Sequence, residues 1–316
     1  MKVLFMGTPD FAVGTLEALL EAGHDVVGVI TQQDRPQGRK MELKPTAVKA
    51  AALAHGLDVY QPSRIRNNPE VMALLERLQP DVGVVAAYGQ IIPAEILHFP
   101  RYGCLNVHAS LLPKYRGAAP IQWAVIDGEK ESGVTIMQMD EGLDTGDMLA
   151  KAVLPLASDE TGGSLFDRLA KAGAELLVRT LEDLEKGALH PAVQPAESPT
   201  PYARMLTKAD GRIDWTKKAA AIECLVRGVN PWPGAYTYLD GKMLRIWKSR
   251  VCTADEESRC SSGQPGTVAS SENGRLIVRT GEGLLEITEL QLEGKKRMPA
   301  ADFLRGKAVS EGTVLG

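Results

Sequence analysis

The sequence predicts an α/β fold: a mostly parallel sheet domain in the first part of the chain, followed by a small β-rich domain. Three observations predict it. Short apolar runs alternate with helical patterns up to a long amphipathic stretch at 162–187. A segment rich in Pro and Ser, with no sustained period, comes next. Beyond it, short alternating stretches are separated by Gly-containing turns. Strands that alternate with helices imply a parallel sheet covered on both faces, and closely spaced short strands imply a small antiparallel barrel or sandwich.

The elements follow in order. KVLFM (Lys2 to Met6) is short, apolar and suited to a buried strand, and Asp10 to Glu21 sets Phe11, Leu16, Leu19 and Leu20 at helical spacing. DVVGVIT (Asp25 to Thr31) gives a second strand. PTAVKAAALA (Pro45 to Ala54) opens a helix with proline in its first turn, and DVGVVAA (Asp81 to Ala87) gives a third buried strand. CLNVH (Cys104 to His108) and GVTIMQMD (Gly133 to Asp140) are further strands, with a helix from about Ala119 to Ile126 between them. Gly162 to Gly187 is a long amphipathic helix that closes this unit, and HPAVQPAESPTPYA (His190 to Ala203) has linker composition. One more helical pattern spans Asp214 to Gly228. AYTYL, MLRIWKS, GTVAS, LIVRT and LLEITELQL then supply the short strands of the second domain. The division this predicts is a catalytic domain over 1–188, a linker over 189–204 and a C-terminal domain over 205–316.

A chain of 316 residues can bury two cores, and 44% hydrophobic with 24% charged residues is ordinary for a globular protein. The net charge of -4 says little about partners. Four cysteines (Cys104, Cys224, Cys252, Cys260) form no CxxC and sit at no zinc-finger spacing, which fits reduced thiols in a cytoplasmic protein. The start of the chain is too short in apolar residues for a signal h-region, and Gly83, Gly89, Gln90 and Pro93 interrupt the most apolar later stretch, so no membrane span is expected. The first turn, GTPDFA, lacks G-x-G-x-x-G, and no P-loop occurs, so neither NAD nor a P-loop nucleotide is indicated.

NVHASLLPKYRGAAP (Asn106 to Pro120) carries the clearest chemical signal. In a parallel sheet, ligands bind beyond the carboxyl ends of the strands, and Asn106 and His108, two apart in an extended chain, point the same way. DEGLDTGD (Asp140 to Asp147) follows the strand GVTIMQM and is expected at the same edge, with four carboxylates and with Gly142 and Gly146 as hinges. An amide donor, an imidazole and a carboxylate in one cleft suit attack of an amine on a carbonyl. One group stabilises the oxyanion, one moves protons and one orients the imidazole. Asparagine is also a turn former, histidine a common satisfied core residue, and the acidic loop an ordinary polar one, so pattern alone leaves these readings open.

MGTPDFA (Met6 to Ala12), TQQDRPQGRK (Thr31 to Lys40), NVHASLLPKYRGAAPIQWAV (Asn106 to Val125), GVTIMQMDEGLDTGDML (Gly133 to Leu149), IDW (Ile213 to Trp215) and NPWPGAY (Asn230 to Tyr236) run in order over nearly the whole chain. Together they resemble the methionyl-tRNA formyltransferase family. The resemblance implies transfer of the formyl group of 10-formyltetrahydrofolate to the free amine of methionine on initiator methionyl-tRNA. It implies Asn106, His108 and Asp144 as the catalytic trio, Ser110, Leu111, Leu112 and Pro113 as the folate-binding SLLP, and no metal. It also implies a Rossmann-like catalytic domain and a C-terminal OB-like β-barrel. The loop DRPQGRKMELKP (Asp34 to Pro45) is assigned by resemblance to the acceptor end of the tRNA, through Arg39 and Lys40 with Lys44 close by. MELKP stands where many relatives carry another basic pair.

Charge supports a polyanionic partner locally: residues 204–250 hold ten Lys and Arg against four Asp and Glu, and Lys295, Lys296 and Arg297 add a cluster. Rival readings are a folate-dependent formyltransferase acting on a small acceptor, a formyl-folate hydrolase, and a tRNA-binding module without catalysis. A monomer is the default expectation.

Overall fold

The computed structural model describes residues 1–37, 42–258 and 263–316. The chain forms two compact units. The first comprises Met1–Pro120, Glu131–Pro155 and Phe166–Ala203; the second comprises Arg204–Gly316 with two earlier stretches, Ile121–Lys130 and Leu156–Leu165.

Up to residue 185 the order is β1 (Lys2–Gly7), α1 (Asp10–Glu21), β2 (Asp25–Ile30), β3 (Arg35–Gln37), β4 (Glu42–Lys44), α2 (Ala47–Ala54), β5 (Val59–Tyr60), α3 (Pro69–Leu78), β6 (Val82–Ala86), α4 (Ala94–Leu97), β7 (Cys104–His108), α5 (Pro120–Ile126), β8 (Glu131–Gln138), β9 (Met148–Pro155) and α6 (Gly162–Glu185). Local chemistry sets the helix ends. The Thr46 hydroxyl accepts from the Lys49 N–H and starts α2 at Ala47, two residues later than the Pro45 signal suggests, and Asn68 caps α3 with Pro69 at its first position.

The sheet of the first unit runs β5-β2-β1-β6-β7-β8-β9. β5, β2, β1, β6 and β7 are parallel, and β8 and β9 are antiparallel additions. The mostly parallel sheet predicted from the alternation is therefore present. β1 and β6 are buried along nearly their full length, which explains why they are unbroken apolar runs. Chain order reverses between β1 and β6, so the carboxyl ends of β1, β6 and β7 flank the topological switch where ligands bind in such sheets.

The second unit contains α7 (Ala219–Gly228), β10 (Ala235–Leu239), β11 (Lys242–Val251), α8 (Ala254–Glu257), β12 (Val268–Ser270), β13 (Leu276–Arg279), β14 (Leu284–Leu292), β15 (Met298–Pro299) and α9 (Ala300–Gly306). Its antiparallel sheet runs β10-β11-β14-β13-β12, with β15 on β14. All five short segments singled out in the sequence are strands. α5 contributes to this unit: the Trp123 indole donates to the Arg204 carbonyl at 2.8 Å, and a Cβ on Gly228 would collide with Ile126.

Candidate active site

The parallel strands end together, and hydrogen bonds tie their exits. The Tyr88 carbonyl, just past β6, accepts from the Thr8 hydroxyl at 2.9 Å and from the Gln32 amide at 3.1 Å, joining the turns after β1, β2 and β6. Beside them β7 presents Asn106 and His108. Asn106 is partly exposed, and its amide makes no hydrogen bond to another described residue. His108 is buried.

The His108 imidazole is held at both nitrogens. Nε2 lies 3.1 Å from the Tyr115 carbonyl oxygen, and Nδ1 lies 3.7 Å from Asp144 Oδ1. A carbonyl only accepts, so in this contact Nε2 carries the hydrogen, and Nδ1 is the nitrogen that faces the carboxylate. At 3.7 Å the carboxylate is at ion-pair distance, longer than a hydrogen bond. Its second oxygen accepts from the Gly117 N–H at 2.9 Å.

Asp144 reaches this position by a route that the sequence does not display. β8 runs antiparallel to β7 with Gln138 opposite Leu105, so the 139–147 loop leaves the sheet beside the start of β7, not beside its end. The expectation of a shared carboxyl edge assumed a parallel β8. Asp140 folds the loop by accepting from the Gly142 N–H at 3.1 Å and the Thr145 hydroxyl at 2.8 Å. Gly142 and Gly146 are close-approach positions: a Cβ on either would overlap the Thr145 side chain or the Gln138 carbonyl oxygen. Asp144 itself holds φ 56, in the left-handed region.

Ser110, Leu111, Leu112 and Pro113 form a turn fastened from several directions. The buried Thr135 hydroxyl of β8 donates to the Ser110 carbonyl at 2.8 Å and accepts from the Leu112 N–H at 3.1 Å. Ser110 Oγ donates to the Lys114 carbonyl at 2.6 Å, and Lys151 Nζ of β9 donates to the Leu112 carbonyl at 2.5 Å. Desolvation lowers the pKa of that ammonium below its ordinary value. Arg39 and Lys40 lie outside the described residues. Lys44 is exposed on the β3–β4 hairpin, opposite Arg35. The structure thus brings Asn106, His108, Asp144 and the SLLP turn to one region, and leaves Lys44 apart on a hairpin.

A family profile described as "Formyl transferase" matches residues 1–181, and one described as "Formyl transferase, C-terminal domain" matches residues 205–308. A methionyl-tRNA formyltransferase of Lachnospira eligens is 54% identical over 316 residues, covering all of both chains. The chain belongs to the methionyl-tRNA formyltransferase family. Among solved structures, this formyltransferase is similar to HypX from Aquifex aeolicus in complex with tetrahydrofolic acid (TM-score 0.59, 19% identity, 98% of this chain and 48% of that chain). It is also similar to an N-formyltransferase from Helicobacter canadensis in complex with folinic acid and dTDP-3-aminofucose (TM-score 0.66, 17% identity, 94% of this chain and all of that chain). Likeness at that level establishes the fold. The formyltransferase spans about half the length of HypX.

Sequence reasoning missed several supports of this region. Thr135 and Lys151 are isolated polar residues on strands, with no local signal of a partner. Arg116, Gln194, Ser198 and Thr200 were also missed. The segment with linker composition is stitched to the first unit: Ser198 Oγ donates to the Pro113 carbonyl at 2.8 Å, the Tyr115 N–H donates to Thr200 Oγ1 at 2.7 Å, and the Ala203 N–H donates to the Arg116 carbonyl at 2.8 Å.

Proposed function

We infer that this chain transfers the formyl group of 10-formyltetrahydrofolate to the amino group of methionine on initiator methionyl-tRNA, supplying formylmethionine for translation initiation. Full-length identity to a methionyl-tRNA formyltransferase supports the acceptor. The observation that carries the chemistry is the meeting of His108 and Asp144 beside Asn106 at the end of β7.

In this reading the SLLP turn, Ser110 to Pro113, borders the folate and the formyl carbon lies next to Asn106. The methionine amine attacks that carbon, and the Asn106 amide, which has no other partner among the described residues, donates to the oxygen as negative charge collects on it. The attacking nitrogen gives up a proton, collapse of the tetrahedral intermediate breaks the bond from carbon to N10, and N10 leaves carrying one proton in its place. His108 supplies positive charge near the oxyanion and moves the proton through Nδ1, because Nε2 is committed to the Tyr115 carbonyl. Asp144 orients the ring and opposes its charge when both nitrogens are protonated. Apo contacts in such sites are often long and tighten with substrate, so the 3.7 Å separation is compatible with this role.

Arg39, Lys40 and Lys44 take the acceptor end of the tRNA, and the second unit, read as an OB-like barrel, takes phosphates elsewhere along it. The reading includes a cytoplasmic monomer and chemistry that needs no metal, so turnover is expected to survive chelator. No described helix is long and apolar enough to cross a membrane.

The test is a formylation assay with 10-formyltetrahydrofolate and initiator tRNA, either charged with methionine or uncharged. Transfer to the charged tRNA alone is expected. Formate release with neither tRNA formylated would replace this reading with hydrolysis, and formylation of an amino sugar nucleotide in preference to methionyl-tRNA would replace the acceptor.

A further inference from the structure

Residues 191–197 are exposed with one exception. Val193 is 80% exposed, whereas Gln194 beside it is 7% exposed. Hydrophobic burial alone would bury the valine, so polar contacts decide how this stretch is seated. The Gln194 amide uses its full capacity. Oε1 accepts from Arg116 Nε at 3.1 Å and Nη2 at 3.0 Å; Nε2 donates to the Asp144 carbonyl at 3.0 Å and to the Gly146 carbonyl at 2.7 Å. A guanidinium only donates and carbonyls only accept, so the amide's orientation is fixed by its neighbours.

The partners are those that set Asp144. Its backbone holds a left-handed φ that a non-glycine residue keeps only when its surroundings hold it. Gln194 grips the Asp144 carbonyl, and the Gly117 N–H grips its carboxylate. Arg116, next to Gly117, is anchored in turn by Gln194 and by the Pro195 and Ala196 carbonyls at 2.7 and 3.0 Å. Just past the loop, Met148 and Ala192 exchange hydrogen bonds at 2.9 and 2.8 Å.

We propose that Gln194 is a positioning residue that fixes Asp144 against His108 by joining the Asp144 loop to Arg116, so that the segment with linker composition is part of the active-site scaffold. The proposal rests on the reading of Asp144 as a working residue of the formyl transfer. Displacement of such a group by about 1 Å costs on the order of a hundredfold in rate.

Gln194→Glu tests it selectively, because a carboxylate still accepts from Arg116 but cannot donate to either carbonyl. The expected result is a kcat about ten- to a hundredfold lower, KM for both substrates unchanged, and a displaced pH profile of kcat. Combined with Asp144→Ala, it should add no further loss, since the two act as one unit. Gln194→Met, of similar length and without hydrogen-bonding capacity at its end, gives the same comparison if the carboxylate unfolds the loop. Wild-type kcat and pH profile in these variants, with Asp144→Ala inactive, would overturn the positioning role and leave the functional reading intact. Losses that multiply in the double variant would overturn it too, because they would locate the effect in general folding. Near-normal turnover of Asp144→Ala would remove the functional reading and this inference together.

Discussion

Thr135 is a fully buried hydroxyl in β8 whose hydrogen goes to the Ser110 carbonyl and whose lone pair takes the Leu112 N–H. Thr135→Val keeps the shape and leaves a backbone donor and an acceptor unpaired in the interior. Each such group costs about 1–3 kcal/mol, so thermal unfolding is expected several degrees lower, with a higher KM for the formyl donor because the SLLP turn loses its inner tether. An unchanged melting temperature would mean that the turn finds other partners. Asn106 is the opposite case: its amide supports nothing described in the fold, so removing it should leave stability intact. Asn106→Ala is expected to lower kcat on the order of a hundredfold or more with wild-type melting, and His108→Ala to lower it comparably. Near-normal turnover in either variant would remove that residue from the chemistry.

At the scale of elements, the β3–β4 hairpin is seated on the first unit by polar contacts at its base. Lys49 Nζ donates to Asp34 at 2.6 Å, and the Gln61 amide donates to the other Asp34 oxygen at 2.7 Å. The Lys49 contact holds the Asp34 carboxyl below its usual range. On the reading that Arg39 and Lys40 take the acceptor end of the tRNA, Arg39→Ala and Lys40→Ala are expected to raise KM for methionyl-tRNA at least about tenfold, the scale of a lost charge-assisted contact, with KM for the formyl donor unchanged. Equal loss for both substrates would indicate misfolding instead. The hairpin itself was not legible: Arg35 to Gln37 and Glu42 to Lys44 carry no apolar alternation. By contrast β1, β2, β6 and β7 were, since strands buried on both faces appear as apolar runs, as were α1 and α6 from their spacing. Asn106 and His108 could be located because strand ends follow from those runs. The direction of β8 could not, because an antiparallel addition leaves the same apolar signature, so the route of Asp144 to His108 stayed hidden. The seating of 190–203 was invisible for a related reason: its contacts are single hydrogen bonds to residues far away in sequence, and these impose no period.

On the scale of the whole molecule, the net charge of -4 conceals how the basic residues are used. In the second unit, Arg204 pairs with Asp210, Lys218 with Glu282, Arg227 with Glu223, and Arg250 with Glu256 and Glu286, while Arg275 joins the last cluster. Arg250, with help from the Thr253 N–H, depresses the Glu256 pKa, and Arg204, with help from Thr207, depresses that of Asp210. Depressed carboxylates stabilise the fold above their unfolded values, here 4.5 and 3.8, and that contribution is lost as pH falls through the folded values. The melting-temperature gap between wild type and Glu256→Gln is therefore expected near neutral pH and to shrink below about pH 4; a gap independent of pH would make the pair irrelevant to acid stability. Lys208, Arg212, Lys242, Lys295 and Lys296 are exposed and have no acidic partner among the described residues, so they remain available to phosphates. Each phosphate contact contributes roughly 0.9 to the slope of log affinity against log salt. Changing Lys208, Arg212 and Lys242 together to alanine should flatten that slope for tRNA by about two to three while KM for the formyl donor stays constant. Lys218 and Lys248, equally accessible but facing Glu282 and Glu289, should change it less, because counterions displaced from the phosphates are partly replaced by carboxylates left without their partners. Equal slopes for all three proteins would detach the second unit from the tRNA backbone and leave the β3–β4 hairpin as the electrostatic contact of the enzyme.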